Sequence, residues 1–181
     1  LANMLSGDAD EIVLSGVRCR VTPMLGTDAL VVGIFRPQIF LGTSLLSELS
    51  DDELEAVVYH EDHHRRTRAP IRAAALGAWL RLLGRSKGVR GLVLDRLGDL
   101  ETLADADAIR RGSSPRALAR ALLKGEMGLQ PVAFSYAPTR RVERLLDRAA
   151  GMPIDATGRL PYEWLPVALV TVVTLGCHLG I

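Results

Sequence analysis

The chain has few of the residues that tie a protein together covalently or attract it to nucleic acid. Its 181 residues include two cysteines, Cys19 and Cys177. They are too few and too far apart in sequence for a disulfide framework or a thiolate metal site. Because 22 Lys and Arg residues are balanced by 21 Asp and Glu residues, the chain lacks the basic character of nucleic-acid-binding domains. The sequence therefore predicts no nucleic-acid partner, and a chain of this length needs no metal merely to fold.

The longest apolar run covers residues 164–181, where no charged residue occurs. As a helix it would measure roughly 27 Å, close to the ~30 Å thickness of a bilayer's hydrocarbon core. We therefore expect a folded domain in residues 1–150, a linker in 151–161 and a transmembrane segment in 162–181. The alternative is a buried helix or core strand, since valine and threonine are frequent in this run.

Charge on the two sides of the apolar run predicts its orientation. Arginines precede the run and no Lys or Arg follows it, which places the preceding domain on the cytoplasmic side of a cell membrane. The arginines are Arg140, Arg141, Arg144, Arg148 and Arg159.

The remaining pattern predicts an α+β fold with a small antiparallel sheet. Short apolar runs bounded by turn residues favour strands at residues 11–14, 18–22, 30–35 and 38–41. Helical patterns follow at residues 51–66, 70–83, 92–111, 115–124 and 139–150, with a basic, glycine-rich loop at 84–91. The helix at 51–66 has the strongest start signal, because Ser50 and Glu53 form a capping box.

Three of the four histidines lie in that helix, within the five-residue sequence His60-Glu61-Asp62-His63-His64. Residues four apart share one helix face, so His60 and His64 can converge on one zinc ion. Glu61 lies about 100° around the helix, where it can take a proton from a zinc-activated water. A pair formed by His60 and His63 is the alternative, but only His64 leaves Glu61 in the register that this mechanism requires.

A catalytic zinc site needs a third protein ligand, and the acids of residues 95–107 are the candidates. Glu101 and Asp105 lie one turn apart on one helix face. Glu101 could bind Zn²⁺ while Asp105 accepts the N–H of a zinc-bound histidine. Alternatively these acids balance nearby arginines on a solvated surface. Two histidines and a carboxylate could also hold other divalent ions.

These motifs together resemble membrane zinc metallopeptidases. The sequences HEDHH, ETLAD, GIFRPQIFLG and RRVERLL, spread over residues 31–146, resemble the BlaR/MecR-type antirepressor peptidases and, more distantly, the CAAX prenyl protease and HtpX-like peptidases. The resemblance implies a zincin-like fold in which His60, His64 and Glu101 bind zinc. It also implies that Glu61 is the general base and that Asp105 supports a ligand.

The resemblance further implies that a strand beside the active site pairs with the substrate backbone. Its counterpart here consists of Val31, Val32, Gly33, Ile34 and Phe35. Peptide hydrolysis also needs a donor for the oxyanion of the tetrahedral intermediate. Side chains of suitable chemistry follow the third-ligand helix at Tyr136, Arg140 and Arg141.

The sequence thus predicts a membrane-associated zinc endopeptidase of the HExxH-plus-Glu (gluzincin) type. Its expected substrate is a cytosolic or membrane-proximal protein, with a transcriptional repressor as one candidate by resemblance. One alternative is a non-enzymatic interaction module derived from a metallopeptidase. Another is a metal hydrolase that acts on small molecules.

Overall fold

The computed structural model describes residues 5, 9–83, 85–127 and 138–150. Within these residues the chain forms a small four-stranded sheet and six α-helices. The strands are β1 (Asp10–Leu14), β2 (Val17–Thr22), β3 (Ala29–Val32) and β4 (Gln38–Gly42). The helices are α1 (Thr43–Glu48), α2 (Asp51–Thr67), α3 (Ala69–Leu83), α4 (Lys87–Arg110), α5 (Pro115–Met127) and α6 (Pro138–Ala149). The predicted α+β class is confirmed at this level.

The sheet is mixed, so the predicted antiparallel pairing is confirmed for two pairs of strands and is wrong for the central pair. Its strand order is β1-β2-β4-β3, with antiparallel pairs β1–β2 and β3–β4. The central pair, β2 and β4, is parallel. After β2 the chain makes a 3₁₀ turn at Pro23–Leu25 and forms β3 at the edge of the sheet. It then reverses direction, and β4 fills the position between β3 and β2, parallel to β2. As a result, β3 is an edge strand.

Strand β3 is shorter than the sequence pattern predicts, since it ends at Val32 instead of residue 35. Gly33 has a φ of +112°, in the region that favours glycine, and a Cβ there would lie 2.7 Å from the carbonyl oxygen of Arg36. The chain therefore turns at Gly33. Ile34 and Phe35 lie in the connection to β4, where the exposed fraction is 58% for Ile34 and 88% for Phe35.

Helix α2 begins and ends close to its predicted bounds. The backbone N–H of Ser50 donates to Oε2 of Glu53 at 3.0 Å, as the capping box requires. Three acidic residues occupy the first turn, and basic residues occupy the last, which suits the helix dipole. The helix ends at Arg68, which adopts a left-handed conformation with a φ of +53°.

The basic segment predicted as a loop at 84–91 is helical from Lys87 onward, so that prediction is wrong over its second half. Ser86 is the N-cap of α4. Gly88 and Gly91 are accommodated inside the helix, because a glycine in a helix interior costs only ~1 kcal/mol relative to alanine.

Helix α2 lies between the sheet and the other helices. On one side, Val58 belongs to a core formed with β2, β3 and β4 that includes Ile39 and Leu41. On the other side, Ala56 belongs to a second core that α4, α5 and α6 share. Many members of the second core are alanines, which let helix axes approach closely; they are Ala56, Ala108, Ala117 and Ala119. This packing brings α4 against the face of α2 that carries the histidines.

None of the helices in the described ranges is long and apolar enough to cross a membrane. The predicted linker and transmembrane segment, residues 151–181, lie outside the described residues.

Candidate metal centre

Two helices bring together the three predicted ligands. Helix α2 provides His60 and His64, α4 provides Glu101, and all three are almost fully buried. The two Nε2 atoms lie 3.0 Å apart. Each also lies 3.4 Å from one oxygen of Glu101, His60 from Oε2 and His64 from Oε1. Within the described part of the chain, these are the residues whose ligand atoms cluster closely enough to hold a metal ion.

Asp105 determines which nitrogen of His60 faces this cluster. Its Oδ1 lies 2.9 Å from Nδ1 of His60. Because a carboxylate oxygen can only accept a hydrogen bond, this contact favours a proton on Nδ1. When the ring is neutral, the Nε2 lone pair then faces Glu101 and His64. Lone pairs of two imidazoles and a carboxylate then converge on one small volume. Such a set matches the nitrogen and oxygen ligands of a catalytic zinc site.

The electrostatics of the site also favour a bound cation. Burial lowers the pKa of His60, but hydrogen bonding to Asp105 and Glu101 outweighs it and raises that pKa to about 10. Burial raises the pKa of Glu101, yet the two histidines and the charge of Arg141 hold it well below its usual range. The site therefore stabilises positive charge between the two helices, whether as a proton or as a metal ion.

Arg141 of α6 binds the carboxylates of both Glu101 and Asp105. It is 5% exposed. Its Nε and Nη2 donate to the two oxygens of Asp105 at 3.0 and 2.6 Å, and its Nη1 donates to Oε2 of Glu101 at 2.8 Å. Arg141 is one of the candidate oxyanion donors predicted from the sequence, and in the structure its guanidinium holds the two carboxylates in place. The sequence signal for this role was an arginine in RRVERLL, but its partner could not be deduced without the α4–α6 packing.

Glu61 is half-buried beside the ligands and does not belong to the cluster itself. Burial raises its pKa; the negative charge of Glu101 adds to this, while His64, His60 and Arg141 oppose it. A carboxyl group whose pKa is shifted upward toward neutrality is better suited to accept and return a proton than an ordinary surface glutamate.

His63 lies apart from the ligand cluster, although its spacing from His60 would also permit chelation. Its Nδ1 is 3.4 Å from Oδ2 of Asp107. Asp107 also binds Arg66 and Arg110 through short charge-assisted hydrogen bonds. The structure thus groups His64, and not His63, with His60 and Glu101.

Asp62 was not predicted to have a role, and it is the centre of an ion-pair network. It is 3% exposed and binds Arg65 and Arg66 on its own helix. It also accepts a hydrogen bond from Nη1 of Arg111 at 2.7 Å, and the Arg111 guanidinium stacks over the ring of Tyr59. This network fastens α2 to Arg111, the C-cap residue of α4.

The predicted substrate strand is only partly a strand. Val31 and Val32 lie on edge strand β3, which packs against α2, and Gly33, Ile34 and Phe35 lie in the turn that follows. In the described residues β3 pairs only with β4, so no described strand lies along its other edge. Tyr136 and the side chain of Arg140 lie outside the described residues.

Comparison of the chain with protein-family models, with curated proteins and with solved structures returned no match. The case for function therefore depends on the site geometry and on the motifs themselves.

Proposed function

We propose that this protein is a zinc-dependent endopeptidase. The observation that carries the proposal is the convergence of His60 Nε2, His64 Nε2 and the Glu101 carboxylate within hydrogen-bonding distances, with Asp105 and Arg141 behind them. A bound Zn²⁺ would supply Lewis-acid polarisation of a carbonyl and a lowered pKa for water. Two histidines and a glutamate make a three-ligand set that leaves a position open for this chemistry.

The chain's own residues then have distinct roles. Glu61 accepts a proton from the attacking water at a carboxylate oxygen and returns it to the leaving nitrogen of the scissile peptide bond. Asp105 keeps the proton of His60 on Nδ1. Arg141 fixes Glu101 and Asp105 and keeps both ionised. With both histidine rings neutral, the carboxylates of Glu61, Glu101 and Asp105 carry two more negative charges than the positive charge of Arg141 balances, which matches a divalent cation.

The edge position of β3 among the described strands supports a protein or peptide as the substrate. An extended peptide can add to an exposed sheet edge through main-chain hydrogen bonds, and β3 packs on the helix that carries His60 and His64. This favours a peptidase over a hydrolase of small molecules, which would need a closed pocket. A cytosolic or membrane-proximal protein, including a repressor, is the substrate class that the motif resemblance adds to the proposal, with the enzyme at the cytoplasmic face of a membrane.

The test is proteolysis of an unfolded protein such as reduced casein by the zinc-loaded chain. Glu61→Gln should retain zinc and lower the rate by roughly 10²–10⁴-fold, because general acid–base catalysis contributes about that much. Glu48→Gln is the matched control, because it removes a carboxylate that is exposed on α1. If Glu61→Gln binds zinc and cleaves as fast as the wild type, the proposed mechanism is wrong. If neither protein cleaves casein or any member of a peptide library, the interaction-module alternative replaces it.

A further inference from the structure

Helices α3 and α4 form a hairpin whose end carries both leucines and basic residues. The hairpin tip, defined as residues 81–83 and 85–92, has exposed Leu82, Leu83 and Leu92, of which Leu82 is 80% exposed. The exposed basic residues of the tip are Arg81, Arg85, Lys87 and Arg90. In the described part of the chain, none of these four forms an ion pair, in contrast to the many paired arginines around Asp62 and Asp107.

The charge of this region has one sign over a long stretch of sequence. Between Asp62 and Asp95 the chain contains eight Arg and Lys residues and no Asp or Glu. No other stretch of the chain contains as many basic residues without an acid, and the whole chain has a formal net charge of only +1. Five of the eight lie on the hairpin, whereas Arg65 and Arg66 belong to α2 and pair with Asp62. The five basic residues of the hairpin form no ion pair with any described residue, so positive charge is concentrated there.

The exposed leucines of the tip belong to neither of the two buried cores. The hairpin buries Ala73, Leu76 and Val93, and none of these belongs to the two cores that hold the sheet and the other helices together. Leucines next to unpaired cations are the composition of surfaces that lie in the headgroup region of anionic bilayers, with apolar side chains below the phosphates and basic ones among them.

We propose that the hairpin tip docks onto an anionic phospholipid bilayer. This surface is independent of residues 162–181 and of any catalytic activity. Leu82, Leu83 and Leu92 enter the interface, while Arg85, Lys87 and Arg90 bind lipid phosphates. From Lys87 to Glu101 the helix rises roughly 21 Å at ~1.5 Å per residue. Docking through the tip would therefore hold the ligand cluster no farther than about that distance from the headgroups.

A fluorophore placed on the tip tests this docking locally, whatever other segments of the chain do. Ser86→Cys is labelled with an environment-sensitive nitrobenzoxadiazole dye in the full chain, with Cys177→Ala to leave one accessible thiol, since Cys19 is buried. Vesicles of phosphatidylcholine mixed with phosphatidylglycerol should shift the dye emission to the blue, and salt should weaken the effect. The same label at Ser47→Cys, exposed on α1, should not respond.

Two sets of variants separate charge from apolar contact. Arg85→Gln/Lys87→Gln/Arg90→Gln should weaken vesicle binding at the tip roughly a hundredfold. The matched control Arg18→Gln/Arg20→Gln/Arg116→Gln removes the same charge elsewhere and should leave binding unchanged. Leu82→Ser/Leu83→Ser should retain salt-sensitive attraction but abolish the blue shift. Circular dichroism shows whether each variant is folded.

Several results would overturn the proposal. These are a tip label that does not respond to anionic vesicles, an equal response to pure phosphatidylcholine, and an equal loss in the matched charge control. A response to a soluble polyanion such as heparin, without a response to anionic vesicles, would also overturn it and would indicate a different acidic partner. All readouts are independent of proteolysis, so failure here leaves the proposed peptidase activity untouched.

Discussion

Nη1 of Arg141 lies 2.8 Å from Oε2 of Glu101, the same carboxylate oxygen that lies 3.4 Å from Nε2 of His60. A buried cation thus shares an oxygen with the ligand cluster and at the same time binds both oxygens of Asp105. Glu101 and Asp105 are one helical turn apart, so a single planar guanidinium can fix both. Arg141 is therefore best described as a positioning residue for the proposed zinc site.

Replacing Arg141 should weaken zinc binding without removing a ligand. Arg141→Met keeps the apolar stem but leaves two buried carboxylates without their cation, and we expect zinc affinity to fall 10–100-fold, the usual effect of losing a partner of a metal ligand. Arg141→Lys should recover only part of the loss, because an ammonium cannot bind both carboxylates in the fork geometry. Zinc affinity is measured by competition with a chromogenic chelator.

The control for this prediction is Arg144→Gln. Arg144 lies one turn along the same helix and binds Thr102 instead of a carboxylate of the site. This variant should leave zinc affinity unchanged. An Arg141→Met protein that is folded and binds zinc as tightly as the wild type would contradict the positioning role.

The metal content of single-residue variants tests the ligand assignment itself. Elemental analysis of the wild type should find about one zinc per chain. His64→Ala and Glu101→Ala should lose it, since each removes one of the three converging ligands. His63→Ala should retain it, because His63 contacts Asp107 instead. Loss of zinc from His63→Ala, with retention in His64→Ala, would show that the alternative histidine pair is the real one.

The sequence predicted those features of the site that depend on residues close together in the chain. The capping box at Ser50 and Glu53 and the i, i+4 spacing of His60 and His64 are properties of one helix, and α2 has both features. The pairing of Glu101 with Asp105 is also local to one helix, so its geometry could be anticipated. Which element would contact these acids depends on long-range packing, and the role of Arg141 was therefore missed.

The wrong predictions about the fold also concern features that depend on long-range packing or on a single backbone conformation. The parallel pairing of β2 with β4 depends on where the β3–β4 hairpin joins the sheet, and no short-range pattern specifies that. Strand β3 was predicted too long because Ile34 and Phe35 continue the apolar run, whereas the positive φ of Gly33 ends it. No role was predicted for Asp62, because its partner Arg111 is 49 residues away in the sequence.

Asp62 should contribute to stability and not to metal binding. Asp62→Asn leaves Arg65, Arg66 and Arg111 without a buried carboxylate. These arginines are partly exposed, so solvent already screens much of their attraction to Asp62, and losing that attraction costs less. We expect a decrease of about 1–2 kcal/mol in the free energy of unfolding, measured by urea denaturation, with one zinc still bound.

Asp99→Asn is the matched control for Asp62→Asn, because Asp99 forms one exposed pair with Arg96. Its effect should be below about 0.5 kcal/mol, as for most surface changes. Loss of zinc from Asp62→Asn without loss of folding would instead connect the ion-pair network to the metal site.

Glu53 should make the stability of the fold depend on acid pH. Burial raises its pKa, but hydrogen bonds from Lys124, the Ser50 backbone and Arg120 outweigh burial and lower it to about 2. A carboxyl group with a depressed folded-state pKa contributes stability above its unfolded pKa near 4.5 and loses it as the pH falls toward 2. Two cations from α5 thus reinforce the capping box of the helix that carries the histidines.

Glu53→Gln should therefore lower the free energy of unfolding by roughly 3–4 kcal/mol at neutral pH, given ~1.4 kcal/mol per pKa unit. The difference from the wild type should shrink as the pH falls from 4.5 to 2, where Glu53 itself becomes neutral. Denaturant unfolding followed across this pH range measures both effects. Glu143→Gln, an exposed glutamate on α6, should differ little from the wild type at any pH. A difference between Glu53→Gln and the wild type that stays constant with pH would show that lost packing, and not lost charge, explains the effect.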